Sequence, residues 1–260
     1  MNDLARDDDF GRAVFPDPLV AFARAREHSG VVILDGLHPL KHARRFGASL
    51  VRVVVHDLDR TLGLATHLAP DLVECISDAE VVSAATFGRL APRPNATGVM
   101  TIAQRPVVDI GNVLLEAAAP VVLLEDPRDH GNIGACIRVA AAAEAAALLT
   151  TGDHDPWAPA ALAGSAGLHF ALPVARVPAT ADLAGRVIVA LDPDGRDLGP
   201  GDLPDRAVLV FGNERQGLTD AMLERADLRL RLPMRSGVSS LNLAASVSAV
   251  LYAWRLNQPG

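Results

Sequence analysis

The sequence predicts an α/β protein of two domains, with helices covering sheets whose strands run largely parallel. Three observations carry this. Apolar runs of four to eight residues alternate with segments of about ten residues that have helical periodicity, the pattern of βαβ units. Several of the runs are apolar without interruption, as strands covered on both faces must be. The chain has 260 residues, half of them hydrophobic and 21% charged, enough for one large or two small domains with a full core.

The elements follow in order. After an acidic start (MNDLARDDDFGR), a helical pattern at Leu19, Phe22, Ala23 and Ala25 runs to Ser29-Gly30. VVIL (31–34) reads as a strand, HPLKHARRFG (38–47) as a helix stopped by Gly47, and LVRVVVHD (50–57) as a strand. An Asp-capped helix at 59–69, a strand LVECI (72–76), a second capped helix at 78–87 and a strand TGVMTIA (97–103) complete a small α/β unit. The boundary is expected at QRPVVD (104–109), giving domains of 1–105 and 106–260. Beyond it VLLEAAA opens a new periodic segment, and VVLLED (121–126), ALLTTG (147–152), FALPVARV (170–177), VIVALDPDG (187–195), AVLVFGNE (207–214) and LRLRLPM (228–234) read as strands. Helices are expected at 131–145, 157–167, near 219–226 and at 240–256.

Composition excludes several function classes. No run approaches the roughly 18 apolar residues of a membrane span, and the start lacks the basic-then-apolar order of a signal peptide, so a cytoplasmic protein is expected. Cys75 and Cys136 form no CxxC and have no histidine at ligand spacing, which excludes a structural zinc or disulfide framework, and no metal is expected. A formal charge of −7 argues against a uniformly basic nucleic-acid binder. The charge is uneven, however: Phe10–Arg60 holds 8 Lys and Arg against 5 Asp and Glu, including Lys41, Arg44 and Arg45. Phosphate contacts need only a local patch of this kind, and these three residues are candidates for binding phosphate groups.

Four short motifs have bland readings. GNIG (131–134) lacks the spacing of a dinucleotide fingerprint, and AGSAG (163–167) lacks the first glycine of a nucleophile elbow and reads as a helix-to-strand turn. His38 and His42 lack the glutamate of HExxH and read as solvated helix residues; DPDG (192–195) reads as a turn. Three other segments share one property, a strand end followed at once by Gly or small polar residues: LLEDPRDHGNIGACIR (123–138), LVFGNERQGL (209–218) and LPMRSGVSSLNLAAS (232–246). Loops at the carboxyl ends of parallel strands are where open α/β sheets bind ligands, and glycine there admits a ligand close to the backbone. Taken singly, each could be a helix cap or a turn.

Their joint order and spacing carry more. Asn132-x-Gly134-x-x-x-Arg138, then FGNERQGL (211–218), then LPMRSGVSSLN (232–242) running into an Ala-rich helix, resembles the three-motif signature of the SpoU (TrmH-type) RNA ribose 2′-O-methyltransferases of the SPOUT superfamily. The likeness covers residues ~120–256, and GLHPLKHA (36–43) with its surroundings is similar to the L30e-like substrate-binding domain that many members carry. The resemblance implies a C-terminal domain with a trefoil knot, a homodimer, and S-adenosylmethionine as cofactor for methyl transfer to a ribose hydroxyl of rRNA or tRNA. It implies cofactor contacts at Leu191, Gly212, Asn213, Leu232, Met234 and Leu241, largely through main-chain atoms. It places Asn132, Arg138, Glu214, Ser240 and Asn242 in the catalytic site, with Arg138 either the general base or an electrostatic clamp beside a phosphate that takes the proton. One departure stands out: many members have an Arg two residues before the serine of an RASxG-like segment, where this chain has Ala163. A non-methylating RNA-binding protein and a nicotinamide-dependent dehydrogenase are the competing readings.

Overall fold

The computed structural model describes residue 10 and residues 16–91 and 95–258, so the acidic start lies largely outside the described residues. The chain divides into a unit of Met1–Val107 and a unit of Val108–Gly260.

The first unit runs α1 (Pro18–Glu27), β1 (Val31–Asp35), α2 (Leu37–Arg45), β2 (Leu50–Val55), α3 (Leu58–Leu68), α4 (Val73–Ser77), β3 (Glu80–Val81), α5 (Ala84–Leu90) and β4 (Val99–Gln104). Its sheet has the order β1-β4-β2-β3; β4 lies antiparallel to both β1 and β2, and β3 pairs with β2 in parallel. Alternation along β4 sends Met100 and Ile102 to the face covered by Phe22 of α1 and Leu90 of α5, while Val99 joins Leu40 of α2, Ala65 of α3 and Ile76 on the other.

Two expectations fail in this unit. Leu72–Ile76 was expected as a strand and instead closes a 3-10 turn and enters α4. Leu72 and Ile76 are its buried residues, a spacing of four that puts both on one helical face, whereas a strand of this length would bury every second residue. The helix expected at 78–87 is split: Glu80–Val81 add an edge strand beside Val54–Val55, and only from Ser83 does a helix start, capped by the Ser83 hydroxyl accepting from Thr86 N–H at 3.1 Å.

The second unit runs α6 (Ile110–Glu116), β5 (Val121–Leu124), α7 (His130–Ala142), β6 (Ala147–Thr150), α8 (Pro159–Ser165), β7 (Val174–Arg176), β8 (Ile188–Asp197), β9 (Val208–Phe211), α9 (Asp220–Arg225), β10 (Leu228–Arg231) and α10 (Leu243–Arg255). All six strands are parallel, in the order β10-β8-β9-β5-β6-β7. Every residue of β5, β6 and β9 is buried, which is why these strands read as unbroken apolar runs. One face packs Leu123, Leu149 and Val210 against Leu114 of α6 and Met222 of α9. α7 packs against both α8 and α10.

DPDG is not a turn between elements. It lies inside β8, where Arg229 of β10 pairs with Ala190 but Leu230 pairs with Arg196, so residues 191–195 are looped out opposite a single peptide of β10. Gly195 makes this possible: a β-carbon there would sit 2.7 Å from the Arg229 carbonyl carbon. Pairing of β8 with β9 ends at Leu191, the residue expected at a strand end.

The chain steps outward from β5 to β6 and β7, then returns to the other side of β5 for β8 and β9. The strand order therefore reverses between β5 and β9, and the carboxyl ends of these two neighbours flank the crevice where open α/β sheets take ligands.

Candidate active site

Three side chains from three segments meet at this reversal. Asn242 Nδ2 donates to Asn132 Oδ1 at 3.0 Å, and Asn132 Nδ2 donates to Glu214 Oε1 at 2.8 Å. The Arg128 N–H closes the chain on the other carboxylate oxygen of Glu214, at 3.2 Å. The direction of every bond is fixed from its ends. Asn242 Oδ1 is occupied as the N-cap of α10, accepting from Ala244 and Ala245 N–H at 2.9 and 3.3 Å, so its amide nitrogen must face Asn132. Glu214 can only accept, so the Asn132 amide must present nitrogen to it.

Helix capping leaves Asn132 available. Asp129 caps α7 and accepts the Asn132 N–H at 2.7 Å, so the Asn132 side chain is not spent on a cap. Partial burial alone would raise the Glu214 carboxyl; the bonds from Asn132, its own backbone and Arg128 outweigh this and the nearby Asp129 charge, and hold it below the usual carboxylate range. Glu214 is thus ionised at neutral pH. Cys136, one helical turn beyond Asn132, is buried and its thiol is pushed far up by that burial, with the Glu214 charge adding to the effect, so it offers no nucleophile.

The remaining expected residues distribute around this chain of bonds. Arg138 lies six residues along α7 from Asn132, about 9 Å of helix rise, exposed and without a hydrogen bond or ion pair to any described residue. Its side chain is not joined to the bonded chain. Ser240 lies in the exposed loop two residues before the Asn242 cap, outside α10, which begins at Leu243 rather than at Ser240. Asn213 accepts the Arg215 and Gln216 N–H groups at 3.0 and 2.7 Å and bridges to Gly217, so it shapes the loop after β9.

Gly134 and Gly212 each admit a close approach of the protein's own backbone. A β-carbon on Gly134 would lie 2.2 Å from the Ala161 carbonyl oxygen of α8, and one on Gly212 would lie 2.1 Å from the Gly217 carbonyl carbon. At both positions backbone of the protein itself comes close enough to require glycine. The AGSAG segment ends α8 with left-handed Ala166 and Gly167, and buried Ser165 bonds Leu162 O, Gly167 N and His169 Nδ1. Ala163 is exposed on α8.

The sequence reading missed Glu125. This buried carboxylate accepts both the N–H and the hydroxyl of Thr219, at 2.8 and 2.7 Å, while its own N–H donates to Phe211 at 2.8 Å. It thereby ties both ends of the 212–219 loop, which carries Glu214, to the end of β5. A charged residue closing an otherwise apolar strand was the available signal.

The loop from Leu232 to Leu241 after β10 supplies a second kind of surface. Pro233 cannot donate to the sheet ladder and ends it. Val238 and Leu241 are each 47% exposed, Leu232 and Met234 are half-buried, and Val238 N–H to Arg235 O is the one backbone hydrogen bond within the loop. Apolar side chains with unused main-chain donors and acceptors suit a flat, partly apolar ligand that has hydrogen-bonding edges.

On the first unit, Arg45 is paired with Asp71 at 2.5 Å. That bond, with a backbone hydrogen bond and the charges of Arg45 and Lys41, holds the Asp71 carboxyl low against the opposing effect of desolvation. Arg44 is exposed on the same helix. The patch keeps a positive face, reduced by Asp71.

The chain is similar in sequence and fold to known proteins. A model described as the SpoU rRNA Methylase family matches residues 119–252. The 23S rRNA (uridine(2479)-2′-O)-methyltransferase of Streptomyces viridochromogenes is 28% identical over 242 residues, spanning 87% of this chain and 83% of that protein. The SpoU methyltransferase AviRb of the same organism, solved with AdoMet, superposes with a TM-score of 0.74 at 25% identity, covering 97% of each chain. An AdoMet-bound rRNA methyltransferase from Sinorhizobium meliloti has the same fold, with a TM-score of 0.76 at 23% identity over 95% of this chain and 98% of that one.

Proposed function

The chain belongs to the SpoU rRNA methylase family, and we propose that it is an S-adenosylmethionine-dependent methyltransferase acting on a ribose 2′-hydroxyl of ribosomal RNA. The observation that carries this reading is the bonded chain Asn242–Asn132–Glu214, which draws one residue from each of the three sequence motifs to a single point at the strand-order reversal. An inactive RNA-binding protein would have no need to hold all three. Nor does the site offer a nicotinamide its GxGxxG turn.

The residues present fit the cofactor. The loop of Leu232, Met234 and Leu241 would hold it against apolar side chains and main-chain groups, with Leu191, Gly212 and Asn213 on the neighbouring strand ends. When bound, S-adenosylmethionine supplies the methyl group as a sulfonium electrophile. The protein's own residues must then orient the hydroxyl in line and dispose of its proton.

Arg138 is the group for that work. A guanidinium stays charged at neutral pH, so its role is to hold the neighbouring phosphate and stabilise negative charge developing on the 2′-oxygen, while a phosphate oxygen takes the proton. Ionised Glu214, fixed by Asn132 and Arg128 N–H, orients the site and complements the cation. Ser240 in the loop before α10 and Asn242 at its N-cap would face the ribose.

The finer architecture proposed with this activity is a trefoil knot in the second unit, an L30e-like RNA-binding domain in the first, with Lys41, Arg44 and Arg45 on phosphate, and a homodimer. The crossing of the chain from β7 back past β5 to β8 is the topological feature compatible with a knot. Incubation with methyl-labelled cofactor and transcribed 23S rRNA tests the function. Label in ribose is the expected outcome, and cofactor binding without transfer to any RNA would overturn it.

A further inference from the structure

The second unit contains twelve arginines and no lysine, all among the described residues. Five are held by carboxylates and four donate to main-chain carbonyls, the most buried of them, Arg186, to four at once. The three left without any hydrogen bond or ion pair among the described residues are Arg138, Arg215 and Arg235, and all three are exposed. They lie on the same elements and loops as the bonded residues: one on α7 with Asn132, one directly after Glu214, one in the loop before Asn242. Among the described residues, every arginine within α7 and within the 212–219 and 232–241 loops lacks a partner, whereas Arg128, just ahead of α7, pairs with Asp126 and every other arginine of the unit has a partner too.

That distribution has a physical meaning. The part of the chain from residue 106 carries 18 acidic residues against 12 basic ones, so carboxylates are plentiful and a partnerless guanidinium is not the default. Arg215 and Arg235 also stand on short loops braced by the Asn213 turn and the Arg235–Val238 bond, which present their side chains outward. A planar cation with five donors and nothing bound to it matches a phosphate diester in charge and geometry.

We infer that Arg215 and Arg235 bind backbone phosphates of the RNA on either side of the methylated ribose, forming with Arg138 a three-point cationic clamp. They carry no base-specific information; they position the strand. The inference rests on the proposed RNA methyl transfer and assigns to it two residues outside the bonded chain.

The test uses the full-length protein, S-adenosylmethionine and transcribed 23S rRNA, with variants Arg215→Gln, Arg235→Gln, the double variant, the two Lys counterparts, and Arg255→Gln, whose wild-type side chain is paired with Glu144, as control. Each Gln variant is expected to lower the slope of log affinity against log salt by about 0.7–0.9. KM for RNA should rise while cofactor affinity and kcat hold, Lys should restore the slope, and the control should leave it unchanged. If the wild type methylates this RNA and the double variant keeps its slope and KM, the clamp is wrong and the function stands. If the double variant changes its sedimentation state instead of its slope, the arginines serve a protein interface and the clamp is again wrong. If the wild type neither binds nor methylates the RNA, both readings fall.

Discussion

Replacing Asn132 by Asp changes one NH2 group to oxygen and nothing in volume, yet it inverts one bond of the site. The amide nitrogen 2.8 Å from Glu214 Oε1 becomes a second acceptor facing a carboxylate, while the bond from Asn242 keeps its acceptor. A hydrogen bond to a charged acceptor contributes about 1.5–3 kcal/mol, and two carboxylates at this range repel by several kcal/mol at an effective dielectric near 20. Glu214 borders solvent, which screens both contributions, so the expected net loss at pH 7.5 is about 2 kcal/mol. For a unit of this size that lowers Tm by about 4–8 °C. The sign of the pH dependence is the sharper readout. In the wild type Glu214 titrates below its ordinary value, so its contribution is present at neutral pH and fades as acid protonates it. In Asn132→Asp the two carboxyls share a proton and the pair titrates above the ordinary range, so its penalty is full at neutral pH and disappears as pH falls. Thermal unfolding followed from pH 7.5 to 4.5 should show the deficit closing toward acid. A deficit equal at both ends, or none at pH 7.5, would refute the bonded chain as described.

Gly134→Ala should push α8 off α7, because the added carbon meets a main-chain oxygen that cannot swing aside; a loss of about 3 kcal/mol, measured by urea unfolding, is expected, and a neutral result would remove the close approach. Glu125→Ala orphans the Thr219 N–H and hydroxyl and should cost about 2 kcal/mol while weakening cofactor binding through the displaced loop. Glu125→Gln, which can still accept one bond and donate the other, should recover most of both in calorimetry. Neutralising Arg44 and Arg45 together should weaken RNA binding and flatten its salt dependence, with most of the effect from Arg44 because Asp71 already engages Arg45. Equal affinity at all salt concentrations would move the RNA surface off α2.

The parts of the fold open to sequence reading were those where burial is uniform. β5, β6 and β9 are covered on both faces, so apolar residues fill every position and the runs announce themselves. Leu72–Ile76 sets Leu, Val and Ile around Glu74 and Cys75, and this mixed pattern over one turn's length does not separate a strand from a helical turn. DPDG carries turn residues because a looped-out segment needs them as much as a turn does, and only the β10 register reveals which it is.

At the site, the same limit applies to glycine. Gly134 and Gly212 signal that something approaches the backbone closely, and the sequence does not say that α8 and the loop's own return do so. Asn132, Glu214 and Asn242 could be read together from motif order, whereas the direction of their bonds depends on Asp129 and on the cap of α10, contacts set by the folded chain. Glu125 stayed hidden because its partner Thr219 lies 94 residues away.

The central claim is methyl transfer to a ribose oxygen assisted by Arg138. It is tested most directly by digesting 23S rRNA to nucleosides after incubation with the full-length protein and S-adenosylmethionine, and identifying the methylated product by mass spectrometry. The account predicts a 2′-O-methyl nucleoside from the wild type and none from Arg138→Ala, which should still bind the cofactor within a few-fold of the wild type. A base-methylated product, or undiminished ribose methylation by Arg138→Ala, would contradict it.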